Sequence, residues 1–98
     1  VPSYRVTLVV GLLHPGTDPV AVLPAAADAA RTLTKVEAQD LAVVAGEARV
    51  LVRFLALGDR GAVTVGRRVA DRVRDLAEVR RATVARRDGN RWTPVGSG

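Results

Sequence analysis

VEAQDLAVVAGEARVLVRFLAL, residues 36–57, is the stretch whose reading decides the fold. It reads as two strands, Val36 to Ala45 and Ala48 to Leu57, joined at Gly46-Glu47, because Gly at the first position of a two-residue loop suits a type II′ turn. That register sets Val43 opposite Val50, Leu41 opposite Val52 and Gln39 opposite Phe54 on one side. On the other side Val44 meets Arg49, Ala42 meets Leu51, Asp40 meets Arg53 and Ala38 meets Leu55. The opposite charges of Asp40 and Arg53 support it. The side bearing Val43, Val50, Val52 and Phe54 is expected to face the core, leaving the other side open.

Upstream, Tyr4 to Val10 alternates Val6, Leu8 and Val10 with Arg5, Thr7 and Val9, the period of a half-buried strand. Gly11 and His14-Pro15-Gly16 are expected to close it. Thr17 or Asp18 before Pro19 signals a capped first turn. A helix is then expected from about Pro24 to Leu33, with Leu23, Ala26, Ala27, Ala30 and Leu33 as its apolar stripe and Asp28, Arg31 and Lys35 facing water. Downstream, Gly58-Asp59-Arg60-Gly61 reads as a turn. From Ala62 to about Glu78, Ala62, Val65, Val69, Val73 and Leu76 recur at helical spacing, with Arg67–Asp71 and Arg74–Glu78 as i,i+4 pairs. Val79 to Arg87 is a fourth strand with Ala82 and Val84 inward, followed by a turn at Asp88-Gly89-Asn90 and a short segment from Arg91 to Val95.

The order is β-α-β-β-α-β. Two helices share one face of a four-stranded sheet only in a split βαβ arrangement, so an α+β, ferredoxin-like βαββαβ fold is expected. Its antiparallel sheet carries a short C-terminal hairpin strand. Right-handed crossovers place the first and third strands at its centre. The 98 residues make one domain, with residues 1–3 and 96–98 expected to be loose.

Apolar residues are 48% and charged residues 26% of the chain, as in an ordinary globular domain. No stretch approaches the roughly 20 apolar residues of a membrane span, and Val6 to Leu13 lacks the leader and cleavage site of a signal peptide. The chain contains no cysteine, which excludes disulfides and thiolate chemistry and makes the cytoplasm the expected location. Arg outnumbers Lys fourteen to one, which with abundant Ala, Val and Gly fits a high-GC coding bias. The net charge of +5 is uneven: residues 1–59 sum to −1, residues 60–78 to +2 and residues 79–98 to +4.

The open sheet face is the expected interaction site. By the register above it displays Thr7, Val9, Ala42, Val44, Leu51 and Leu55, with Arg5, Arg49, Arg53 and Asp40 among them. An apolar patch rimmed by charge suits a homodimer interface or a docked protein; in the bland alternative, Arg stems or the terminal segment cover it. The C-terminal cluster of Arg81, Arg86, Arg87, Arg91 and Trp92 is the candidate for nucleic acid, with arginines for phosphate and the indole for stacking. Against it, the central strands lack the aromatic side chains of an RNA-recognition sheet. Arg81 and Arg87 would equally protect an edge strand. His14 is the sole histidine, Ser3 and Ser97 lie at the termini, and no G-x-S-x-G or phosphate-loop pattern occurs. No metal, no cofactor and no catalytic residue are therefore expected, and the chain reads as a non-enzyme.

His14, Pro15 and Gly16 form a bend that would hold a small anion or amino acid against the following helix, or serve as an ordinary strand-to-helix turn. In Pro15-Gly16, and in the Val79 to Val84 strand that follows the second helix, residues 5–87 resemble the small ACT-type regulatory domains. That resemblance implies a dimer and ligand-controlled association, although His14 stands where the family has an acidic residue. In topology alone the chain is similar to the cofactor-free dimeric α+β barrel monooxygenases, which implies an enzyme as a further alternative.

Overall fold

The central hairpin turns at Ala45-Gly46, one residue earlier than expected. In the computed structural model, which describes residues 1–96, Ala45 (φ 53°) and Gly46 (φ 78°) are both left-handed. That is the type I′ pattern, whose twist matches the flanking strands. Every pairing from Ala38 to Val44 is thereby displaced by two residues: Val43 faces Ala48, Leu41 faces Val50, Gln39 faces Val52 and Asp40 faces Leu51. A displacement of two leaves each side chain on its original face, so the expected inside and outside survive the error in register. The expected Asp40–Arg53 pair does not form. An irregularity between Val36 and Ala38 instead puts Glu37 3.4 Å from Arg53 Nε. A left-handed alanine costs roughly 1–2 kcal/mol, which Asn tolerates far better. Ala45→Asn should therefore raise stability by about 1 kcal/mol, read as a higher urea midpoint at unchanged slope.

In chain order the elements are β1 (Ser3–Leu13), a 3-10 turn (Pro19–Ala21), α1 (Val22–Arg31), β2 (Val36–Val44), β3 (Glu47–Leu55), α2 (Asp59–Arg74), β4 (Ala77–Asp88) and β5 (Arg91–Gly96). They form one open antiparallel sheet in the order β2-β3-β1-β4-β5. The C-terminal hairpin strand is thus a full member of the sheet, which has five strands rather than four with an appendage. Both helices pack on the face formed by Tyr4, Val6, Leu8 and Val10 of β1, Val50, Val52 and Phe54 of β3, and Ala82 and Val84 of β4. Val6, Val52, Phe54 and Val84 are completely buried there.

Element ends depart from the expected ones for local reasons. The 58–61 turn is the start of α2: Gly58, extended at φ −164°, is its N-cap, and Asp59 puts a carboxylate in the first turn where the helix dipole favours it. α2 stops at Arg74, so Leu76 and Glu78 lie outside it. Neither expected i,i+4 pair forms. Arg74 pairs with Asp71 at 3.0 Å, Arg72 with Asp75 at 3.5 Å, and Glu78 with Arg80 at 2.7 Å. In α1, Asp18 caps the preceding 3-10 turn, its Oδ1 accepting from the Val20 amide at 3.0 Å. Pro24 is tolerated as the third helical residue, where no intrahelical amide bond is lost. Ala26, Ala27 and Ala30 are fully buried as expected, whereas Leu33 lies beyond the helix and is half exposed. The N-terminus is tied from Pro2, whose carbonyl accepts from the Ala56 amide at 3.2 Å. Of the expected loose C-terminus, Gly96 ends β5, and residues 97–98 lie outside the described ones.

Candidate functional site

Strand alternation assigns the sheet's second face. Arg5, Thr7 and Val9 of β1 lie beside Arg53, Leu51 and Arg49 of β3 on one flank, and beside Ala85, Thr83 and Arg81 of β4 on the other. Ala42 pairs with Arg49, Asp40 with Leu51 and Val44 with Glu47, while Arg87 pairs with Trp92 of β5. All eight residues expected at the interface (Thr7, Val9, Ala42, Val44, Arg49, Leu51, Arg53 and Leu55) therefore share this face, and neither helix covers it. Val9 alone is buried among them, at 3% exposure, with Arg49 and Arg81 as its two cross-strand neighbours. Their aliphatic stems shelter it.

The sequence divided this surface from the C-terminal basic cluster; the sheet merges part of the two. Trp92 lies on the open face, with the Arg5 guanidinium 4.5 Å and that of Arg53 5.9 Å from its ring centre. Arg5, Leu51, Arg53, Asp40 and Trp92 line a shallow depression of about 200 Å³. Arg81 and Arg87 point to the same side. The face thus carries Arg5, Arg49, Arg53, Arg81 and Arg87 against Glu37, Asp40 and Glu47, and two of those three acids are engaged, Glu47 with Arg49 at 3.6 Å and Glu37 with Arg53. The Nε atoms of Arg49 and Arg53 are buried without an aligned acceptor. A signal for this grouping existed in the sequence. A two-residue loop at Gly89-Asn90 puts Trp92 opposite Arg87, and so on the side of Arg5.

Arg86 and Arg91 separate from the cluster. Arg86 alternates to the helix side, where Nη1 donates to both Asp59 oxygens at 3.0 and 2.9 Å and Nε donates to Asp88 Oδ1 at 3.1 Å. Tyr4 Oη donates to Asp59 Oδ1 at 2.7 Å, and Thr93 Oγ1 to Asp88 Oδ2 at 2.7 Å. This network ties β1, α2, β4 and β5 together and occupies the guanidinium. Arg91, opposite Asp88, is exposed away from Trp92.

The network sets a pH dependence. Donation by Tyr4, then by Arg86, holds the Asp59 carboxyl below its usual range, and donation by Arg86, then by Thr93, does the same for Asp88. Burial first, then the bond to Asp59, pushes the Tyr4 phenol upward. Lowered carboxyl values favour the fold above the ordinary carboxylate range of about 4, and that contribution disappears as pH falls through the folded values. A raised phenol value favours the fold below about pH 10, and its contribution disappears as pH rises through the folded value. Urea midpoints should form a plateau falling at both ends. Tyr4 is the chain's single tyrosine, so phenolate absorbance reports the alkaline limb directly.

The His14-Pro15-Gly16 bend is closed on itself. The Thr17 amide donates to His14 O at 3.1 Å, and Gly16 has φ 83°, as the third residue of a type II turn requires. The His14 amide donates to Leu76 O at 2.9 Å, and its Nδ1 lies 3.2 Å from Asp75 O. Beyond the bend, Asp18 accepts from Val20 and Ala21, and Pro19 O from Val22. Those amides are already bonded internally. Among the described residues no three His, Asp or Glu side chains converge as a metal site would require, and no helix is long and apolar enough to cross a membrane.

The free edge of β2 carries apolar side chains that strand periodicity does not single out. Leu41 and Val43 are 52% and 73% exposed on the helix side of this edge, and Val44 is 44% exposed on the other. Beside Leu41, an apolar cleft of about 260 Å³ runs between the sheet and α1, lined by Leu13, Pro19, Val22, Leu23 and Val50. The opposite edge, β5, has six residues, includes Pro94 and begins with Arg91. No protein-family model, curated protein or solved structure matches this chain.

Proposed function

We propose that the chain is a ferredoxin-like, non-enzymatic assembly module of the cytoplasm that self-associates through the free edge of β2. The ferredoxin-like reading takes β2-β3-β1-β4 as the core sheet and β5 as its extension. The observation that carries self-association is the contrast between the two sheet edges. An edge strand offers unpaired amides and carbonyls to any other strand, and proteins blunt such edges with short length, proline or charge. β5 has all three, whereas the Leu41–Val44 end of β2 has none.

Two copies of β2 meeting antiparallel about Ala42 would set Leu41 of each against Val43 of the other, covering both exposed side chains and keeping the two Asp40 carboxylates apart. Self-pairing of the broad face, the arrangement expected from sequence, is less favourable. It would bring two copies of the same five arginines together with few free carboxylates to offset them.

Light scattering at tens of micromolar is expected to give a dimer mass for the native chain, a monomer for Leu41→Lys/Val43→Glu, and a dimer for Leu51→Arg/Leu55→Glu. Because the chain has no cysteine, Ala42→Cys should cross-link across the two-fold axis under mild oxidation while Ala85→Cys should not. A monomeric native chain would remove the proposal, and loss of the dimer only in the Leu51/Leu55 variant would return the interface to the sheet face.

A further inference from the structure

We infer that the open sheet face is a binding site for single-stranded nucleic acid, with Trp92 as the stacking side chain and the surrounding arginines as phosphate contacts. This site is separate from the β2 edge and does not depend on self-association. The chain's basic excess has two locations with different fates. Off the sheet face, Arg72 and Arg74 of α2 and Arg86 of β4 are each paired with a carboxylate. Among the described residues Arg60, Arg67 and Arg68 of α2 are not, but these three have no aromatic side chain beside them. On the sheet face, Arg5, Arg81 and Arg87 have no carboxylate within 4.0 Å among the described residues, while Arg49 and Arg53 each keep one loose ion pair, 3.6 Å to Glu47 and 3.4 Å to Glu37, with no aligned hydrogen bond at Nε. Five guanidinium groups on one flat surface, three without a carboxylate and two only loosely paired, suit a ligand that supplies repeated anionic oxygens.

Spacing and shape select the kind of polyanion. Arg49 and Arg53 stand four residues apart on β3, about 14 Å at a rise of 3.4 Å per residue. Arg5, Arg81 and Arg87 continue the charge over two further strands, so the positive surface tracks a backbone rather than cradling one phosphate. A helix or ribbon is needed to enter a duplex groove, and this face offers neither. Unpaired bases need only an aromatic plane and flat apolar ground. Trp92 provides the plane, and Leu51 and Ala38 line the same depression. The Arg5 guanidinium lies over one face of the indole, 4.5 Å from the ring centre, so a base stacking on that face displaces it and leaves the cation free for phosphate. An acidic polypeptide would satisfy the arginines equally well but would leave the indole without a role. That difference separates the two ligand classes.

Trp92 is the chain's single tryptophan, so its fluorescence reads the site directly. Titration with a 20-nucleotide oligothymidylate should quench it. With roughly five phosphate contacts at a slope of 0.7 each, affinity should fall about a hundredfold between 50 and 200 mM salt. Arg5→Glu/Arg81→Glu should weaken binding at least tenfold, and the equal charge change Arg67→Glu/Arg68→Glu on α2 should alter it no more than a few-fold. The native titration is decisive even if the first variant fails to fold. Absence of quenching at 50 mM salt overturns the inference. So does equal affinity for polyglutamate, which would assign the face to an acidic protein, or equal affinity for a 20-base-pair duplex, which would make the attraction one of charge alone.

Discussion

Phe54→Ala is expected to cost about 3–5 kcal/mol, the range for deleting a buried aromatic side chain. Phe54 is fully buried on the helix-covered face, its ring centre 6.2 Å from that of Tyr4 with the planes 19° apart. Such a pair contributes beyond its buried area, and Tyr4 also carries the hydroxyl that anchors Asp59 at the start of α2. Removing Phe54 therefore opens a cavity and loosens the junction of sheet and helix together. Domains of this size have total stabilities of only about 5–15 kcal/mol, so the variant should unfold at low urea or fail to accumulate folded. The neighbouring Leu55→Ala, half-buried on the open face, should cost about 1 kcal/mol. An equal or larger loss at Leu55 would mean that the two faces of β3 are assigned the wrong way round.

Gly66→Ala is expected to destabilise, against the ordinary rule for helices. In an exposed helix this change gains about 1 kcal/mol. Gly66 is buried in the middle of α2, and a Cβ built there would stand 2.5 Å from Val84 Cγ2 and 3.7 Å from Val6 Cγ2. Val84 is fully buried and β-branched, so it has no free rotamer into which to retreat. Overpacking of this kind costs about 1–3 kcal/mol, which exceeds the propensity gain. The sign should reverse once the obstacle is removed: in a Val84→Ala background, Gly66→Ala should stabilise by up to about 1 kcal/mol. A double-mutant cycle by urea unfolding reads this directly. Additive effects would show that the close approach of α2 to β4 does not govern residue 66.

Much of the architecture was legible because it rests on periodicity. The alternation of Val6, Leu8 and Val10, the helical recurrence of Val65, Val69 and Val73, and the choice of Phe54 over Leu55 as the inward residue all follow from local pattern and hold in the structure. The turn at residues 45–46 was not legible. Alanine rarely adopts a left-handed conformation, so the local preference pointed to Gly46-Glu47. The pairing of the two whole strands outweighed it. The i,i+4 pair Arg74–Glu78 failed because it assumed a helix reaching Glu78, where the chain leaves to join β4, whereas Arg67–Asp71 lies within α2 and gave way to the Arg74–Asp71 pair.

By itself the sequence determined which side of each strand and helix is apolar, since side-chain period is a local property. It also determined that no cysteine chemistry is available. Tertiary structure alone decided which charged groups become neighbours. Arg5 and Trp92 are 87 positions apart in the chain, and the folding of β4 and β5 against β1 puts them in contact, while Arg86, one residue from Arg87, turns to the other face and is neutralised by Asp59 and Asp88. Charge acts through space over a few ångströms, so a cluster read along the chain has no fixed meaning until the strands have been placed side by side.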